Sequence, residues 1–319
     1  MKTIDRRNFL RLSVTTLGTG ALLQLMPRRA DAGFLDHLRR RNGEAPGSFS
    51  IVQLSDTHVG FSGPPDPLGT QAFERAVEMI NQLDPQPDLI LFTGDLTHDV
   101  EDPVKHAERM RKFKDIESRL RIQTRHHVPG EHDAALDRGA LYRDNFGETH
   151  YSFDHKGVHF VALDNVSHGR PIVGKEQIAW LESDLARYGK STPIVVFTHR
   201  PLFDLRPDWE WMTTDGDQVL NILAPYDAVS VLYGHIHRAH HATTGKIQHH
   251  AARSLVFAFP DPAKVKEKKL LPFDPYWKFN NLGLRTVSAP DPVRVNDVEL
   301  TFREVGDEGV TQFIREGLE

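Results

Sequence analysis

Six β-type runs constrain the fold this chain can adopt: Phe49 to Leu54, Leu89 to Thr93, Arg121 to Val128, Val158 to Leu163, Ile194 to Thr198 and Ala228 to Tyr233. Helix-like segments lie between them. Ala72, Phe73, Ala76, Val77, Ile80 and Leu83 share one stripe of a helix over Gln71 to Leu83, and Ile178, Leu181 and Leu185 share one over Glu176 to Tyr188. Buried strands alternating with helices predict an α/β domain. Two later runs, Leu284 to Ser288 and Val298 to Phe302, read as closing strands. Segment 260–281, with four prolines, four aromatics and the run Lys264-Val265-Lys266-Glu267-Lys268-Lys269, reads either as a flap beside a site or as a solvated face.

Five of the runs lead at once into residues that bind metals. The first leads to Asp56 and His58, the second to Gly94-Asp95, and the third to Gly130-Glu131-His132-Asp133. The fifth leads to His199 and the sixth to Gly234-His235-Ile236-His237. In α/β sheets ligands bind in the crevice beyond the carboxyl ends of the strands. A lone Asp-x-His or Gly-Asp is ordinarily a turn or a cap, and His199 alone reads equally as a core histidine. Five occurrences at the same structural position point instead to one shared metal site. The chain has no cysteine, which removes thiolate nucleophiles, zinc ribbons and iron-sulfur clusters, whereas its 18 histidines make N/O ligation plausible.

The series Asp56-x-His58, Gly94-Asp95, Gly130-Glu131-His132-Asp133, His199 and Gly234-His235-x-His237 resembles the calcineurin-like metallophosphoesterase family. The resemblance runs from about Ser50 to His237 with all blocks in the family's order. It implies two packed mixed sheets flanked by helices, a four-layer αββα architecture spanning 48–319 as a single domain. It also implies two divalent or mixed-valence ions, Mn, Fe or Zn, with Asp56, His58 and His237 on the first, Asp95 bridging, and Glu131, His199 and His235 on the second. Catalysis would then be phosphoester hydrolysis by a metal-bridging hydroxide. His132 would serve the leaving oxygen and Asp133 would orient its ring. Arg200, next to a ligand and suited to phosphate, is the first choice for substrate contact. His98, Arg125, His127, His168, His240, His249 and His250 could line the rim, although their spacing does not require it.

One residue departs from the family pattern, because Glu131 stands where that family has Asn. Three carboxylates then bring −3 against +4 from two divalent ions, which would weaken attraction for a dianionic monoester relative to a monoanionic diester. A shifted backbone with no change in preference is the plainer alternative. A rival reading takes His235-x-His237-x-Ala239-His240 as a metallo-β-lactamase-like run, but Ala239 cannot supply the acid that such a run needs. An exported metal-binding protein without turnover is the non-enzyme alternative.

The N-terminus carries Arg6-Arg7-Asn8-Phe9-Leu10, an apolar stretch from Leu12 to Met26 and Ala30-Asp31-Ala32. It resembles a twin-arginine signal cleaved after Ala32, followed by a connector over 33–47. The export machinery would be a partner, and the destination would be periplasmic or secreted. The apolar stretch is shorter than the about 20 residues that a membrane anchor needs. Residues 1–32 hold six Lys or Arg against two acids, so the remainder moves from −5 to −9. Such a charge argues against a general nucleic-acid binder.

Overall fold

The computed structural model describes residues 49–289 and the strand backbones 294–299, 303–305 and 311–313. The signal and connector expected over 1–47 lie outside the described residues. β1 (Phe49–Leu54), α1 (Gln71–Asn81), β2 (Leu89–Thr93), α2 (Pro103–Glu117) and β3 (Arg125–Val128) follow one another. The three strands pair in parallel, Ile51 beside Leu89 and Ile90 beside Arg125. Two short helices, α3 (Glu131–Ala134) and α4 (Ala140–Phe146), lead to the hairpin of β4 (Tyr151–His155) and β5 (Val158–Ala162). Next come α5 (Lys175–Leu185), β6 (Ile194–Phe197), α6 (Gly216–Leu223), β7 (Val229–Tyr233), β8 (His240–Thr244) and β9 (Ile247–Ala251). β10 (Gly283–Ala289) returns to pair antiparallel with β1, and β11 (Arg294–Glu299) pairs with β10. The two large sheets are therefore β11-β10-β1-β2-β3 and β4-β5-β6-β7-β9-β8, and strands 303–305 and 311–313 pair as a separate two-stranded sheet.

Alternation along each strand builds the layers, since successive side chains point to opposite faces. Phe49, Ile51, Leu89, Leu91 and Val128 meet Val158, Phe160, Ala162, Val195, Phe197 and Leu232 between the sheets. Val52, Leu54, Ile90 and Phe92 pack with Phe73, Val77 and Ile80 of α1 and Phe113 and Ile116 of α2. On the other sheet, Val161, Val196, Val229 and Val231 pack with Leu181 and Leu185 of α5 and Val219 and Leu223 of α6. Strands buried on both faces read as continuous apolar runs, which is why they stand out in the sequence.

The differences from expectation are local. β3 begins at Arg125, because Asn81 Oδ1 accepts the Arg121 amide at 2.8 Å and ties that residue to the end of α1. α2 was not anticipated, although Asp102 caps it by accepting from the Val104 and Lys105 amides, with Pro103 in its first turn. Of the last predicted run, Val298 to Phe302, the first two residues end β11, and 300–302 lie outside the described residues.

Candidate metal centre

Beyond the carboxyl ends of β1, β2, β3, β6 and β7 the backbone turns abruptly. Asp56, His58, Asp95, His235 and His237 all have positive φ, between 41° and 65°, and make up five of the nine such non-glycine residues described. Each conformation costs on the order of 1–3 kcal/mol and persists only where its surroundings enforce it. The core beneath supplies that enforcement at about 1.5–3 kcal/mol per buried side chain. Asp56 and His58 thus reach one site by left-handed turns and not by strand alternation. Gly94, at φ +89°, is required here: a Cβ would lie 2.7 Å from His199 Cγ and 2.8 Å from the Gly130 nitrogen.

All seven expected ligands converge, in two groups that share Asp95. In the first, His58 Nε2 is 3.2 Å from His237 Nε2 and 3.3 Å from Asp95 Oδ2, while His237 Nε2 is 3.2 Å from Asp56 Oδ1. In the second, His199 Nε2 is 3.3 Å from the same Asp95 Oδ2 and 2.8 Å from Glu131 Oε2, and His235 Nδ1 is 2.9 Å from Glu131 Oε1. Donors about 2.1 Å from a common cation stand roughly 3.0–3.4 Å apart, so these spacings suit one ion per group.

The tautomers agree with that reading. His199 Nδ1 donates to the Thr93 carbonyl at 2.7 Å, His237 Nδ1 to the Phe257 carbonyl at 2.9 Å, and His235 Nε2 to the Glu210 carbonyl at 3.2 Å. Each ring therefore turns a lone pair to the centre. His199 Nε2 and Glu131 Oε2 are close yet not aligned as a hydrogen bond, as two donors to a shared cation would be. Burial would lower the pKa of His199, but Asp95 and Glu131 hold it well above the ordinary value, so the carboxylates demand positive charge at this point. Burial alone would raise Glu131, yet His235, His199 and Arg200 hold it well below the usual carboxylate range.

The sequence pattern of calcineurin-like phosphoesterases matches residues 49–239, a span that contains every one of these candidate ligands. This chain belongs to the calcineurin-like phosphoesterase family. Members use a dinuclear metal centre, and the donor set found here fits one. The chain is 27% identical over 211 residues to a protein named "Probable glycerophosphodiester phosphodiesterase" from Arcobacter nitrofigilis, covering 62% of this chain and 75% of that one. It is 26% identical over 198 residues to a 3',5'-cyclic-nucleotide phosphodiesterase of Nostoc sp., covering 59% and 71%. A serine/threonine-protein phosphatase of Danio rerio is 30% identical over 193 residues, covering 52% and 61%. The crystal structure of a dimetal phosphatase from Danio rerio has the same fold, with a TM-score of 0.58 at 14% identity, over 84% of this chain and 99% of that one.

In this calcineurin-like site the surrounding groups differ from expectation. His132 stands beside the first group, its ring 4.7 Å from that of His58, but Asp99, not Asp133, pairs with its Nδ1. Asp133 instead accepts from the Leu96, Thr97 and Gly130 amides at 2.8–3.0 Å, pinning the third ligand loop to the second. Neighbours on a helical turn point in different directions, so adjacency in sequence misassigned the ring's partner. Burial would lower the pKa of His132, but Asp95, Asp99 and Glu131 raise it to about 9. His98 was one of many rim candidates. Its Nδ1 lies 3.2 Å from His58 Nδ1, and its ring stacks on His132 at 4.7 Å. Asp99 was not foreseen, although it follows Asp95 by four residues.

Arg200 reaches the second group from behind. Its Nη2 is 3.3 Å from Glu131 Oε1 and its Nη1 donates to the Glu210 carbonyl at 2.8 Å. Lys268 comes from segment 260–281, which lies against residues 206–209; its ammonium donates to the Trp209 carbonyl at 3.1 Å. Other rim candidates point elsewhere: Arg125 and His127 pair with Glu117, and His249 is buried against Phe203. His240 meets the Tyr233 hydroxyl at 2.9 Å and joins neither ligand group, which removes the lactamase-like run.

Proposed function

We propose that this chain is an exported dinuclear phosphoesterase that prefers phosphodiesters to phosphomonoesters. Asp56, His58, Asp95 and His237 would hold one cation and Asp95, Glu131, His199 and His235 the other; N/O donors suit Mn, Fe or Zn. Bound there, such cations would supply Lewis acidity and would lower the pKa of water. His132, tied through Nδ1 to Asp99, offers Nε2 as proton donor to the departing oxygen.

The observation that carries the diester preference is the Glu131–Arg200 pair at 3.3 Å. The extra carboxylate already engages the guanidinium, so the second charge of a monoester would compete with Glu131 for Arg200. A monoanionic diester brings no such competitor. Contact between Arg200 and the substrate then requires phosphate to displace Glu131 from the fork. The two phosphodiesterase-named relatives support the same preference, while the Danio rerio phosphatase favours monoesters as a second reading.

The test uses residues 33–319 loaded with manganese, zinc or iron and assayed on bis-p-nitrophenyl phosphate and p-nitrophenyl phosphate. Wild type should favour the diester, Glu131→Asn should shift the ratio toward the monoester, and Asp95→Ala should be inactive. An unmoved ratio refutes the charge argument. Metal uptake without hydrolysis of either ester would instead make this a metal-binding protein. Export is tested separately, by fractionating cells that express wild type or Arg6→Lys/Arg7→Lys; equal periplasmic yield would exclude the twin-arginine route.

A further inference from the structure

Against Phe257 lies a cavity of about 360 Å3, walled by the loop around Asp66, the turn 256–258 and part of segment 271–282. This size is within the range of small-molecule sites. Phe257 also ties the cavity to the metal centre. Its carbonyl accepts from His237 Nδ1, and its ring stacks on His237 at 4.6 Å and on His58 at 5.7 Å. An occupant would therefore sit one side chain away from the first ligand group.

The lining combines aromatic faces with an unsatisfied acid. Phe257, Phe273 and Trp277 supply the faces, and Asp66 and Asp274 outweigh Lys278 by one negative charge. Asp274 is already engaged, accepting from the Tyr276 and Trp277 amides at 2.9 and 3.2 Å. Asp66 differs. It is only 4% exposed, its Oδ1 accepts from the Leu68 amide at 3.1 Å, and its Oδ2 has no hydrogen-bond partner. Burial pushes its pKa up to about 6, although the Leu68 and Gly69 amides pull it down. A buried carboxylate is costly unless positive charge neutralises it.

We infer that this cavity seats a cationic substituent, an ammonium or quaternary ammonium group, carried by one alcohol of the phosphodiester substrate. The inference rests on the phosphodiesterase reading above. A cation is attracted both to the ring faces and to the carboxylate. An anionic substituent would face two acids, and an uncharged alkyl group would leave the Asp66 carboxylate unneutralised.

Two isosteric diesters test it: p-nitrophenyl phosphorylcholine, and its analogue in which 3,3-dimethylbutanol replaces choline so that carbon stands for nitrogen. Metal-loaded wild type should favour the choline ester by about tenfold in kcat/KM. That ratio should collapse toward one in Asp66→Asn and in Trp277→Leu, each checked by thermal melting. Equal rates on the two esters in wild type, or a ratio unchanged in both variants, overturn the inference. Calorimetric titration of choline alone into the full chain separates this proposal from the hydrolase reading. Choline binding that is lost in Asp66→Asn supports the cavity even if no diester is cleaved, and absence of choline binding overturns it even if bis-p-nitrophenyl phosphate is hydrolysed.

Discussion

Glu131 and Arg200 should behave as one unit in holding the second cation. Their charged atoms are 3.3 Å apart, and Arg200 is only 7% exposed, so solvent screens the pair little. Coulomb's law at an effective dielectric of about 20 gives roughly 5 kcal/mol for that separation. Desolvation and the neighbouring imidazoles offset much of it, and contacting residues in one network usually couple by about 0.5–3 kcal/mol. A coupling near 1.5 kcal/mol corresponds to about tenfold in a dissociation constant. Glu131→Asn alone removes a ligand charge and leaves Arg200 as a bare cation beside the metal. It should therefore weaken the second site by about tenfold more than the same change made in an Arg200→Met background. The assay is calorimetric titration of manganese or zinc into metal-stripped wild type, both single variants and the double variant. Additivity within about 0.5 kcal/mol would refute the pairing as a functional device.

Other outcomes follow from the same geometry. Gly94→Ala forces a side chain into a positive-φ position against His199, costing on the order of 1–3 kcal/mol in backbone strain alone. It should lower the melting temperature and the second site's metal occupancy; full occupancy by elemental analysis would contradict the packing described. His132→Gln should slow diesters with alkyl leaving groups by about 10²–10⁴, and nitrophenyl esters far less, because nitrophenolate departs without a proton. Equal slowing of both would exclude His132 as the proton donor. His249 is fully buried with neither ring nitrogen partnered, and burial, followed by the nearby His240 and His241, lowers its pKa to about 4. The unfolded chain then binds the proton more readily than the fold, so stability falls as pH drops from about 6.5 through about 4, by up to about 3 kcal/mol. Urea denaturation at pH 7 and pH 4.5 should show a smaller loss in His249→Leu than in wild type, and equal losses would rule His249 out as the cause.

The layers and the candidate ligand residues were legible in the sequence for the same physical reason. Strands buried on both faces must be apolar throughout, and each candidate metal-binding residue sits within a few positions of the strand end that carries it. β1, β2, β6 and β7 could therefore be read within a residue or so, and Asp56, His58, Asp95, Glu131, His199, His235 and His237 could be named from their neighbours alone. Weaker patterns were harder to read. The half-exposed hairpin of β8 and β9 lacks a continuous apolar run, and the polar surface of α2 masks its helical stripe.

Local sequence determined which side chains can reach the rim; only the tertiary structure decided which atom each one offers and to whom. The His199 ring is set by the Thr93 carbonyl 106 residues away, and the Asp56 carboxylate receives the His235 amide across 179 residues. The pairing of Asp99 with His132, the seating of Arg200 on Glu131 and the unpartnered oxygen of Asp66 likewise depend on how separate loops meet. Hydrogen bonds are short-ranged and directional, so relations of this kind exist only once the two sheets have packed and brought their loops to one edge.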